Sequence, residues 1–120
     1  MENTFNKLKV WRKSHEATLK IYNIAKNFPR EETFRLVNQI CRSASSVASN
    51  IVEGNSRNSK KEFLYFLNIA KSSIEETKYH ILLAKDLGYI KETTYNEVVQ
   101  DYNEIGKMLT KLAQYLKSII

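Results

Sequence analysis

The residues best equipped for chemistry gather around one polar run, "EGNSRNSK" at 53–60, which sets Glu53 and Arg57 a few positions before Glu62. Two carboxylates beside a guanidinium could act as acid, base and anion holder. The same trio also makes ion pairs that brace a turn, and that reading outweighs the catalytic one. The run is no phosphate loop, because it has a single glycine and no following Gly-Lys. Serines are plentiful but lack the flanking glycines of a nucleophile elbow. His15 and His80 have no second His or Cys three or four residues away, so neither suggests a metal ligand. His15 is expected in the core or an interface and His80 on the surface. Cys41 stands alone on an apolar stripe, where a small buried residue is expected. The residues therefore assign no catalytic group, metal or cofactor, and a non-enzymatic protein is expected.

Four periodic segments must position that run. In helix one, about 7–27, Leu8, Trp11, His15, Thr18, Tyr22 and Ala25 recur at helical steps, with Leu19, Ile21 and Ile24 widening the face. Pro29 ends it by removing an N–H and restricting Phe28. Helix two, about 32–53, carries Phe34, Val37, Cys41, Ala44, Ala48 and Ile51 on one stripe, and Gly54 is expected as its left-handed stop. Its run of Ser and Ala would let a neighbouring helix come close. Ser59 to Glu62 spells a capping box, "SKKE", that starts helix three at about 60–87, roughly 42 Å of helix. Gly88 supplies a left-handed cap. A second box, "TYNE" at Thr94–Glu97, is expected to open helix four, about 95–119. No strand pattern competes. A chain of 120 residues supports one core, so an all-α, antiparallel up-down-up-down four-helix bundle is expected as a single domain, 1–120.

That topology sorts the charge. The net charge is +6, and all of it is expected at one pole, where the starts of helices one and three meet the ends of two and four. Windows 1–13, 50–62 and 110–120 hold nine cations against three carboxylates; windows 24–37 and 80–101 hold five against six. A concentrated positive end attracts polyanions, because phosphate neutralisation releases counterions. The candidate nucleic-acid ligands are Lys7, Lys9, Arg12, Lys13, Arg57, Lys60 and Lys61. Trp11 and Tyr65 are near enough to stack on bases, although Trp11 reads first as core. Glu53, Gly54, Arg57, Ser59 and Glu62 form the expected turn network.

One helix is too apolar for a monomer. In "FLYFLNIA" (63–70), Phe63, Phe66, Leu67 and Ala70 fill the inward stripe, yet Leu64, Tyr65 and Ile69 point elsewhere. A helix apolar most of the way round is buried most of the way round, so these three are the expected oligomer contact. No apolar run reaches membrane-spanning length, and the first residues lack the apolar core of a secretory signal. A cytoplasmic protein without a membrane partner is expected.

Residues 42–76, "RSASSVASNIVEGNSRNSKKEFLYFLNIAKSSIEE", together with "LKVWRKSHE", Phe28-Pro29 and "LGYI", resemble a specific family. It is the four-helix-bundle family first met as reading frames in intervening sequences of bacterial 23S rRNA genes. The family pattern falls on Arg42, Ser49, Asn50, Glu53, Gly54, Arg57, Ser59, Glu62, Phe63, Phe66, Ser73 and Glu76, among others. Many relatives have proline where this chain has Ala48, so helix two is expected to run unkinked here. The resemblance implies homopentameric rings and a fold similar to accessory proteins of diversity-generating retroelements, which bind nucleic acid and a reverse transcriptase. Two functions follow as expectations. One is a self-associating bundle that captures RNA or DNA, RNA favoured, at its basic pole. The other is a scaffold docking a polymerase or another element-encoded protein.

Overall fold

A computed structural model describes residues 8–120; Lys7, one of the expected cations, lies outside the described residues. The described chain forms four α-helices and a short 3-10 turn, packed as a bundle with no strand among the described residues.

The first helix, α1, spans Lys9–Ala25 and buries Val10, Ser14, Ala17, Thr18, Ile21 and Ala25. Its polar members are accommodated by bonding back one turn: Ser14 Oγ donates to Val10 O and Thr18 Oγ1 to Ser14 O, each at 2.8 Å. The expected stripe is therefore turned aside. His15 is exposed, as are Leu19 and Tyr22, at 56% and 47% of their full surface. Apolar residues occupy two adjoining faces of α1, and the smaller side chains take the inner one.

Helix two starts later than its pattern suggests. Pro29 leads into a 3-10 turn at Arg30–Glu32, and Arg35, at φ −119° and ψ −101°, breaks helical geometry before α2, Leu36–Asn55. The turn satisfies itself, with Thr33 Oγ1 donating to Arg30 O and Arg35 Nε to Glu31 O. Phe34 therefore lies off the stripe and is 90% exposed. With alanine at 48, α2 runs on without interruption. Gly54 is not a left-handed stop: it is a buried residue of α2, and Gly88 is the one positive-φ glycine of the described residues.

The third helix, α3, spans Lys60–Asp86 and lies tightly along α2. Small residues on both sides allow the approach, and hydroxyls bridge it. Ser46 and Ser73 Oγ atoms are 2.9 Å apart, and the fully buried Thr77 donates to Ser43 Oγ at 2.8 Å. These are the small polar residues of helix two put to use: buried hydroxyls hold partners and carry no desolvation penalty alone.

Gly88, at φ 83°, ends α3 with Gly88 N–H donating to Lys85 O and Tyr89 N–H to Ala84 O, a Schellman pattern. The fourth helix, α4, spans Glu92–Ser118, with Lys91 at its N-cap position making no side-chain cap. Thr94 is thus inside the helix and its expected capping box does not form. The chain has already reversed at Gly88, and Glu92 meets the positive end of the helix dipole in the first turn. α4 buries Val98, Tyr102, Ile105, Leu109, Ala113 and Leu116. It is tied to α1 by Lys13–Glu104 at 2.6 Å and by Lys20 to Glu97 and Asp101 at 2.8 and 2.7 Å.

Candidate nucleic-acid interface

The turn between α2 and α3 is built on a close approach. A Cβ placed on Gly54 would stand 2.8 Å from Phe63 Cδ1 and 2.9 Å from Phe66 Cβ, so only glycine fits. Ser56 Oγ donates to Glu53 O at 2.7 Å, and Arg57 N–H to Gly54 O at 3.2 Å. Ser59 then caps α3, its Oγ accepting from Glu62 N–H at 3.2 Å. The helix ends are thus satisfied within the turn.

Arg57 sits among three partners. Its guanidinium is 3.6 Å from Glu53, 3.9 Å from Glu62 and 4.8 Å above the centre of the Phe66 ring. Glu53, Glu62 and the Phe66 ring thus hold Arg57 in place at the cost of matching its charge. Exposed pairs of this kind contribute at most about 1 kcal/mol each. Lys13 is matched as well: its hydrogen bond to Glu104 raises the ammonium above its ordinary pKa and holds the carboxyl below its own.

Four of the expected ligands remain open. Lys9, Arg12, Lys60 and Lys61 are exposed and enter no ion pair among the described residues. Arg57 and Lys60 border a recess of about 280 Å³ between the turn and the end of α4, where Phe63, Tyr115 and Ile119 also line the wall. Tyr115, 59% exposed, puts an aromatic ring beside the cations. Sequence reasoning had named Trp11 and Tyr65 for that role and missed Tyr115. Its signal was available, since a Tyr between the core residues Ala113 and Leu116 must point outward. Tyr65 is 61% exposed and makes an edge contact with Phe66.

The other candidate groups separate. His15 stacks on Trp11 with ring centres 5.1 Å apart and planes within 6°, outside the core. His80, expected on the surface, is the more enclosed of the two and is bonded to Glu76 at 3.1 Å. Cys41 is half-buried, and burial pushes its thiol up, away from reactivity. Of the expected oligomer contact, Leu64 packs against the chain's own core, Ile69 is half-buried and Tyr65 is exposed. A second apolar surface went unrecognised: Trp11, His15, Leu19 and Tyr22 of α1 face Ala48 and Val52 of α2 across a groove of about 350 Å³. The excess of apolar residues on helix one was its signal. Among the described residues no helix is long and apolar enough to cross a membrane.

Comparison with known proteins fits this architecture. The chain has no match among curated proteins. It is similar to a crystal structure from Bacteroides thetaiotaomicron described as a protein of unknown function from the S23 ribosomal protein family. The two share 33% identity, with a TM-score of 0.81 over 88% of this chain and 95% of that one. The family model for 23S rRNA-intervening sequence proteins matches residues 6–111, and with that match, four packed helices and the Gly54 turn in hand, the chain belongs to this family.

Proposed function

We propose that this protein is a non-enzymatic, self-associating helical bundle that captures nucleic acid, RNA by preference, at the tip carrying the Gly54–Ser59 turn. In this reading the helices run up-down-up-down. The start of α1, the α2–α3 turn and the end of α4 then share one end of the molecule. One observation carries the reading: Lys9, Arg12, Lys60 and Lys61 are exposed and enter no ion pair among the described residues. Cations left free on the side where positive charge accumulates attract phosphate, and an exposed Tyr115 beside them offers a stacking face. Arg57 positions the turn through Glu53 and Glu62.

Self-association multiplies that field. Tyr65 and the Leu19–Tyr22 face are apolar surfaces that a second copy would cover, and a pentameric ring is the assembly proposed. Binding by several weak contacts then gains from avidity. The protein acts in the cytoplasm in this reading.

Light-scattering mass with and without a mixed RNA pool, at low and moderate salt, tests the proposal. The expected result is roughly five times the 14.0 kDa chain mass, with RNA bound at low salt and released as salt rises. A monomer that ignores RNA would overturn it. Salt-insensitive binding to a protein partner, with no response to RNA, would favour the scaffold function instead.

A further inference from the structure

Gly106 has no explanation inside the fold. Its backbone is ordinary right-handed helix, and a Cβ built on it would meet nothing within 4 Å. It sits in the middle of α4, where glycine is the weakest helix former after proline. Gly54 is kept by two phenylalanines and Gly88 by a positive φ; Gly106 is kept by neither.

What the missing side chain opens is a groove of about 520 Å³ between α3 and α4. Its floor is Ile74, the Tyr102 side chain and the bare backbone at Gly106. Lysines stand on both walls, Lys71 and Lys78 from α3, Lys107 and Lys111 from α4. Lys78 bridges the helices by donating to Asn103 at 2.7 Å and lies 3.3 Å from Glu75. Lys71, Lys107 and Lys111 enter no ion pair among the described residues.

We propose that this groove docks an amphipathic helix of a partner protein, one whose apolar ridge is flanked on both sides by carboxylates. The ridge would approach α4 closely at Gly106, as small residues permit between packed helices, with the buried Ile74 and Tyr102 closing the groove beneath it. Its carboxylates would meet the lysines of the two walls. A nucleic-acid strand fits this groove less well. It presents one line of phosphate, whereas cations stand on both walls, and Tyr102 is fully buried, so no aromatic face is available for a base to stack on. The site is separate from the turn between α2 and α3.

A synthetic helical peptide of about 16 residues, with a Leu/Ala ridge flanked by glutamates, serves as the probe, and the same peptide with lysines for glutamates as its control. Fluorescence anisotropy should show binding of the glutamate peptide only. Gly106→Leu should weaken it about tenfold or more, because leucine fills the floor, and Lys107→Glu with Lys111→Glu should do the same through the wall. Circular dichroism should show Gly106→Leu as helical and at least as heat-stable as the parent, since leucine favours helix and its Cβ would meet nothing within 4 Å. Lys60→Ala with Lys61→Ala should leave peptide binding unchanged. Equal binding of both peptides, or full affinity in Gly106→Leu, would overturn the proposal. So would a Gly106→Leu variant that loses a labelled uridine oligomer, or its own oligomeric mass, in place of the peptide.

Discussion

Two turns of this molecule, each marked by glycine, use that residue for opposite reasons and leave opposite electrostatics behind them. At the α2–α3 turn Gly54 keeps helical geometry, and its missing Cβ lets Phe63 and Phe66 press on the end of α2. At the α3–α4 turn Gly88 has open space around it and is needed for its φ of 83°. The first turn brings Lys60 and Lys61 to the surface unmatched. Near the second, Arg35 lies 3.7 Å from Glu32 and Lys85 lies 3.7 Å from Asp86. Lys85 also covers the Tyr95 ring, and Tyr89 donates to Glu32 at 2.7 Å. Arg35 and Lys85 near the second turn are thus paired, whereas Lys60 and Lys61 at the first enter no ion pair among the described residues. A glycine in a helical pattern can therefore report close packing as well as a reversal.

The largest effect should come from Gly54→Ala. Overpacking against the Phe63 ring, the Phe66 Cβ and a backbone oxygen outweighs the gain in helix propensity, for a net loss of about 2 kcal/mol by urea unfolding. Gly88→Ala should cost about 1 kcal/mol, the penalty of a left-handed backbone with a Cβ. Asparagine sharpens the contrast. Gly88→Asn should recover part of that loss, because Asn tolerates positive φ, whereas Gly54→Asn should be no better than Gly54→Ala. Equal responses at the two sites would erase the distinction between them.

Acid should probe the matched cations. Glu97 is held below the ordinary carboxylate range by hydrogen bonding to Lys20, and Glu32 by the hydroxyl of Tyr89. Their folded pKa values lie below the unfolded ones, so the unfolded chain binds more protons in that range. The stability they contribute is complete above the ordinary carboxylate pKa and is lost as pH falls through it and then through the depressed folded values. Thermal midpoints measured from neutral to acid pH should decline accordingly. Lys20→Met should flatten the decline, and Lys60→Ala should leave its shape as it is.

Much of this arrangement was legible in the residues, for identifiable reasons. Ser59 with Glu62 gave the start of α3, because a hydroxyl three residues ahead of an amide caps it locally. Gly88 followed by an apolar Tyr gave the end, again a local device. The misses were decided at a distance. Periodicity chose the stripe through Trp11, His15 and Tyr22 and passed over Val10, Ser14 and Ala17; close packing buried those three and left Leu19 and Tyr22 outside. Phe34 fitted a stripe that Pro29 and the Arg35 backbone broke. Thr94 offered a cap one turn too late, after the chain had reversed at Gly88. At the candidate interface the pairing of Arg57 with Glu53 and Glu62 was legible, because the three lie within ten residues of one another. That of Lys13 was not, since only the packed bundle brings Glu104 of α4 near it.

The most direct test of the proposed phosphate capture is the salt dependence of RNA binding by the parent and by a Lys9→Ala, Arg12→Ala, Lys60→Ala, Lys61→Ala variant. Each single-strand phosphate contact contributes about 0.7 log units of affinity per decade of salt, so the variant's slope should be shallower by about 2 to 3, with helicity and mass unchanged. A variant that binds RNA as tightly, and with the same slope, would contradict the assignment of these four residues to phosphate capture.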